Sequence, residues 1–210
     1  MGQKNHYRSS SAAVALMMMG LLLLWPGVGA AQTVVGDAAA VQATVLAATS
    51  LLGSLNPTPT TLADTGTLAG INDERDAGQL TGSVPFLLSG EVLNAATISW
   101  PDQVDSESSL AALNLTVAGI GISADSVMAQ ASQVLGAAGS GSSIINNLSI
   151  NGVPIVVTGD PNQTILMPGG QVVINEQTIS PTGTAVVNAL HVTVSGVADV
   201  VVASATAGIS

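Results

Sequence analysis

The sequence predicts an all-β fold: one antiparallel β-sandwich of roughly eight to ten short strands, preceded by a cleaved leader. Three observations predict it. Val, Ile and Thr recur in short alternating runs, Gly, Pro, Asn and Asp separate those runs, and no long linker or internal repeat divides the chain.

The N-terminus has the three parts of a secretory signal peptide. Lys4, His6 and Arg8 form a basic start, the run from Ala12 to Leu24 is almost wholly apolar, and Trp25, Pro26 and Gly27 break it. Val28, Gly29, Ala30 and Ala31 supply small residues for cleavage after Ala30 or Ala31. A retained anchor is disfavoured, because a bilayer span needs about 20 apolar residues and this run ends at Pro26. No membrane span is expected after cleavage. The absence of Cys excludes a lipid-modified cysteine. The expected organisation is therefore a signal peptide over 1–31 and one secreted domain over 32–210, long enough to bury about 70% of the surface of its unfolded chain.

Composition narrows the function of that domain. Lys4 and Arg8 leave with the leader, so the net charge falls from −10 to −12 and Arg75 is the one remaining Lys or Arg. Nucleic acids and anionic membrane surfaces would be repelled, since phosphate binding depends on Lys and Arg. An oxidising compartment permits disulfides, yet the chain has no Cys, so packing must hold the fold. Phe86 and Trp100 are the only aromatics left after cleavage. The core must be aliphatic, and a stacking platform for sugars or single strands lacks rings.

The elements follow in order. Over Ala38 to Leu55 alanine content favours a helix, whereas Val41, Thr44, Val45 and Thr49 are β-branched, and Pro57 and Pro59 end the segment. The stretch from about residue 56 to 82, and Ala63 to Gly82 most clearly, reads as a Gly-, Asp- and Thr-rich loop carrying Asp73, Glu74, Arg75 and Asp76. Leu113, Leu115 and Val117 alternate with Asn114 and Thr116, and Gly119 to Ile122 continues that extended segment. Gly136 to Gly141 reads as a flexible turn.

Asn151-Gly152, between Leu148-Ser149-Ile150 and Val153 to Val157, predicts a type I′ hairpin whose return strand lies at an edge because of Pro154. Pro168-Gly169-Gly170 predicts a second hairpin joining Thr164–Leu166 to Val172–Ile174. The last two strands read Ala185–Val194 and Ala198–Ala207 around Ser195-Gly196, with Val186, Leu190, Val192 and Val194 on one face and His191 and Thr193 on the other.

The search for chemistry is mostly negative. After cleavage one imidazole remains, His191, and no G-x-S-x-G elbow surrounds any Ser. A lone His on the polar face of a strand reads as a solvated residue. Zinc needs several His or Cys ligands, and no phosphate loop is present. The catalytic and cofactor-binding sets are therefore expected to be empty. Calcium remains open because it accepts carboxylate and carbonyl oxygens: the candidate ligands are Asp73, Glu74 and Asp76, and Asp102, Asp105 and Glu107, neither set fitting an EF-hand. Sequons at Asn114, Asn147 and Asn162 are at the level of chance in so Asn-, Ser- and Thr-rich a chain.

A series of ordered blocks resembles the bacterial choice-of-anchor P family. They include Ser109-Leu110-Ala111-Ala112-Leu113, Val117-Ala118-Gly119 with Ile122-Ser123-Ala124-Asp125, Asn147 to Gly152, Gly159 to Thr164, Pro168-Gly169-Gly170, Val173 to Gln177, Val187 to Val192 and Asp199 to Ser204. The similarity runs from about Gly36 to the C-terminus. It implies an exported bacterial surface or secreted domain of undefined activity and transfers no catalytic residue. No sorting motif, hydrophobic span or basic tail follows Ile209 and Ser210, so release or non-covalent retention is expected.

The leading expectation is a non-enzymatic secreted or cell-surface structural or adhesive β-domain. Its partners would be itself or other cell-envelope and extracellular components, one version being assembly by strand addition through the terminal run Val200-Val201-Val202-Ala203. The alternative is a calcium-stabilised extracellular ligand-binding module. A glycan-processing enzyme with a carboxylate pair comes third.

Overall fold

The computed structural model describes residues 32–45 and 57–210, and every regular element among them is a strand. Residues 1–31, the expected signal peptide, and 46–56 lie outside the described residues. In chain order the strands are β1 Val34–Val45, β2 Thr58–Asp64, β3 Glu74–Val84, β4 Leu88–Ser99, β5 Gln103–Val117, β6 Ile120–Val134 and β7 Ser140–Asn146. Then come β8 Ser149–Ile150, β9 Val153–Pro154, β10 Gln163–Met167, β11 Gly170–Ile179, β12 Ala185–Val194 and β13 Ala198–Ile209. One sheet runs β10-β11-β12-β13-β1-β2 and the other β3-β4-β5-β6-β8-β9, with β7 also on β6. Every pairing is antiparallel. The two sheets enclose one continuous aliphatic core, so the fold is the expected sandwich.

Both hairpins form as the turn residues require. Asn151 and Gly152 take φ 51° and 75°, the two positive values of a type I′ turn, between β8 and the edge strand β9. Pro168-Gly169 turns β10 into β11, pairing Met167 with Gly170. Other expectations change. Ala38 to Val45 is strand, because β1 is inserted between β13 and β2, where Ala38 to Val41 and Ala43 are buried. Most of the expected loop over 56–82 is strand as well, leaving only residues 65–73 between β2 and β3. Ala118 and Gly119 (φ 50° and 78°) turn β5 into β6 instead of extending it. The run Val200 to Ala203 lies inside β13, which is paired on both sides, so it offers no edge for strand addition.

The strands are longer and more numerous than expected, and several long strands change face partway along. In β5, Val104, Ser106, Ser108 and Leu110 point inward, then Leu113, Leu115 and Val117 do, so both Ala111 and Ala112 point outward. The same inversion occurs at Asp125 and Ser126 in β6 and at Glu91 and Val92 in β4. It occurs again at Asn146 and Asn147, where β7 and β8 are two halves of one strand in a single register on β6. Ala112, Val92 and Asn147 have φ 49°, 49° and 54°. One residue in the left-handed region turns the following side chain to the opposite face; the β5–β6 register carries through it, while the β4–β5 register shifts around Glu91.

The other sheet has the matching row. Asn175, Ala203 and Ala63 (φ 53°, 56° and 46°) alternate across the strands with Ala189 and Ala40, and all five are buried. This explains why Val186 does not share a face with Leu190: the inward set of β12 is Ala185, Val187 and Ala189, then Leu190, Val192 and Val194. A crease thus crosses each sheet, with its residues pointing outward in one and inward in the other.

The crease divides the interior by size. On one side Leu113, Leu115 and Ile122 meet Ile174, Leu190, Val192 and Val202, all buried. On the other, many inward positions are small or hydroxylic, among them Ala95, Thr97, Ser106, Ser108, Ala129 and Ala205. There Ser106 donates to the Thr206 carbonyl at 2.6 Å and Ser108 to the Ser204 carbonyl at 2.8 Å, reaching from one sheet to the backbone of the other. Buried Gln133 closes that end: its Nε2 donates to the Ala137 and Thr182 carbonyls and its Oε1 accepts from the Ile209 amide. Such buried polar groups are tolerated because each is satisfied.

Candidate functional site

On this side of the crease the outer face of the second sheet carries a hollow. The hollow measures about 640 Å³ and is lined by Glu74, Asp105 and Glu107 together with Gln130, Ser132 and Ser142, among others. Its geometry follows from register. Glu74, Ile98, Asp105, Ser132 and Ser140 form one cross-strand row, and Asp76, Ala96, Glu107, Gln130 and Ser142 form the next. Carboxylates on β3 and β5 are two strand spacings apart, about 9.6 Å at the backbone, and successive ones along a strand about 6.7 Å.

The six candidate ligands are therefore partly gathered and partly not. Glu74, Asp105 and Glu107 face the hollow, and Asp76 shares a smaller depression beside it with Glu107. Asp105 accepts both contacts from Gln103 Nε2 at 3.0 and 2.8 Å, and Glu107 accepts from Gln130 at 2.7 Å. Asp102 sits in the β4–β5 turn, where its carbonyl accepts the Leu135 amide.

Asp73 is turned to a structural task. Its Oδ2 accepts the Ala69 amide at 2.7 Å and Arg75 Nε at 3.1 Å, closing the β2–β3 loop. The Ala69 amide, then the Arg75 guanidinium, hold its carboxyl below the usual Asp value. Among the described residues no group of three or more His, Cys, Asp and Glu side chains is arranged to hold a metal ion.

The imidazole is not the solvated side chain expected from sequence. His191 Nδ1 lies 2.9 Å from Glu176 Oε2 and Nε2 lies 3.0 Å from Asp199 Oδ1, with the side chain 21% exposed. Asn188 donates to the same Glu176 oxygen at 2.6 Å, and Ser204 donates to Asn188 at 2.8 Å, extending the network over β11, β12 and β13. Thr193 Oγ1 stands 3.4 Å from Nε2, but Asp199 is nearer to that nitrogen. Sequence showed His191 on the polar face. Its partners, 15 and 8 residues away, became visible only with the strand register.

The two aromatics of the described residues do not cooperate. Phe86 is fully exposed in the β3–β4 turn and Trp100 is 40% exposed in the β4–β5 turn, at opposite ends of the twelve-residue β4. That length is about 40 Å of extended chain, so no common stacking surface forms.

No family model matches this chain, and neither a curated protein nor a solved structure matches it, so the resemblance to the choice-of-anchor P family rests on its sequence blocks.

Proposed function

We propose that this chain is an exported, non-enzymatic structural or adhesive β-domain of the bacterial cell surface or its surroundings. One observation carries the reading: the sole imidazole of the described residues is held between two carboxylates on a sheet face, away from the hollow that lies on the other sheet. The N-terminal leader pattern and the family resemblance support export. A sandwich with two fifteen-residue central strands and hydroxyl ties between its layers supports a load-bearing or scaffolding role. The test is fractionation of the producing cells together with an attachment assay. The protein is expected outside the cytoplasm, its loss is expected to weaken cell or surface attachment, and His191→Ala is expected to leave attachment intact. Cytoplasmic retention, or a turnover that disappears in His191→Ala, would overturn the reading.

A second reading, a calcium-stabilised ligand-binding module, is favoured by the rows of carboxylates around the hollow, which no Lys or Arg faces among the described residues. Thermal unfolding with calcium and with chelator tests it, and an unchanged midpoint rejects it. The glycan-processing reading is weaker, because the aromatic side chains that line sugar subsites are at opposite ends of β4.

A further inference from the structure

We infer that the free edge of β3 is a self-association surface that pairs antiparallel with β3 of a second copy, joining two sandwiches through one continuous sheet. This rests on the structural reading above and names its partner. The four sheet edges differ in how they are guarded. At one end of the first sheet, β2 is flanked by Pro57 and carries Pro59; at the other, β10 has only five residues and ends before Pro168. β9 is two residues long and contains Pro154. The outer side of β7 is closed by the first sheet, where Gln177 donates to the Gly141 carbonyl at 3.0 Å and the Gly139 amide donates to the Gly183 carbonyl at 2.7 Å.

β3 is less guarded, although Leu62 of β2 lies near its Gly82 and it carries charges at one end. It offers eleven residues, no Lys and no Pro, and it pairs with β4 alone among the described residues. Natural sheets guard such edges with Pro, Lys, bulges or covering segments, because unpaired amides and carbonyls recruit another strand.

The charge and face pattern of β3 select a second copy. Its charged residues, Glu74, Arg75 and Asp76, occupy one end, and Ala77 to Val84 is uncharged. Antiparallel self-pairing separates the two acidic ends, whereas parallel pairing would stack them. The crease fixes the register. Leu80 and Thr81 stand beside Val92 and Glu91 of β4, the two consecutive outward residues of that strand, with exposed Gln79 opposite buried Leu93 on one side and buried Gly82 opposite Gly90 on the other. Faces match along both halves only when Leu80 of one copy lies opposite Thr81 of the other. That register covers Leu80, which is 85% exposed, and brings the wholly exposed Phe86 toward Arg75 of the second copy.

The test uses the full exported chain. Sedimentation across a concentration series is expected to show a dimer, and Leu80→Lys, which places like charges beside the two-fold axis, is expected to give a monomer with unchanged circular dichroism and melting. Because the chain has no Cys, one introduced thiol reports one contact. Thr81→Cys brings two Cα atoms within about 6 Å and should form an intermolecular disulfide, whereas Ser142→Cys, on the opposite side of the sheet, should not. A monomer at every concentration, a dimer indifferent to Leu80→Lys, or equal cross-linking at both positions would overturn this pairing. Binding of β3 to a different extended peptide with no dimer would also overturn it. Each of these outcomes leaves the attachment assay, and the structural reading it tests, standing separately.

Discussion

Ala111 and Ala112 are adjacent, identical in type, both half-buried and both on the outer side of β5, yet only Ala112 has a positive φ, 49°. Replacing each by Gly therefore separates backbone strain from every other effect. An L-residue in the left-handed region costs about 1–2 kcal/mol, which Ala112→Gly releases. Against this stands the larger freedom that Gly gives the unfolded chain, about 0.5–1 kcal/mol relative to Ala. The net expectation is a stabilisation of about 0.5–1 kcal/mol for Ala112→Gly and a loss of similar size for Ala111→Gly. For a domain of this length 1 kcal/mol moves the melting midpoint by about 2–4 °C, so calorimetry should place the variants several degrees apart with opposite signs. Equal destabilisation by both would refute the claim that the crease stores backbone strain.

Further outcomes follow from the same structure. A Cβ on Gly170 would collide with the Thr193 carbonyl oxygen and carbon, so Gly170→Ala should cost about 1–3 kcal/mol in a urea titration. Leu190 is fully buried, and Leu190→Ala should cost about 2–5 kcal/mol, with the slope of the unfolding curve unchanged.

The two perturbed carboxylates give opposite pH dependences. Burial, and then the charge of Asp64, raise the Asp37 pKa above 3.8 despite the Ala38 amide, and its Oδ1 has no partner among the described residues. The folded chain then binds the proton more tightly, so this group subtracts stability at neutral pH and the penalty disappears as pH falls through its folded pKa. Asp37→Asn should raise the midpoint at pH 7, with the advantage shrinking toward pH 3.8. Asp73 is lowered by the Ala69 amide and by Arg75, so its contribution is present above 3.8 and lost as pH falls through its folded pKa. Asp73→Asn should weaken the fold at pH 7 and make little difference in strong acid.

Turn chemistry was the most legible part of the fold. Asn151-Gly152 and Pro168-Gly169 act within four residues of chain, so local sequence is enough to place them. The face of each strand was less legible, because a period-two reading carries one phase along the strand and the crease inverts it at residues such as Ala112, Val92 and Ala203, none of which is a turn-former by type. β1 shows the related limit: its alanines favour helix in isolation, and their strand state is imposed by β13 and β2 on either side.

At the site, the acidic residues were legible one by one. Only register shows that Glu74, Asp105 and Glu107 share a hollow while Asp73 is turned into its own loop. The His191 network is the clearest omission, since Glu176 and Asp199 are brought to it by strands on either side of β12.

Backbone torsion angles in solution, measured by NMR on the labelled protein, bear most directly on the creased two-layer architecture from which the hollow and the β3 register both derive. Positive φ at Val92, Ala112, Asn147, Asn175 and Ala203, each flanked by extended residues whose inward side chains change parity, is the expected result. Negative φ throughout, with one unbroken alternation along β5 and β13, would contradict it.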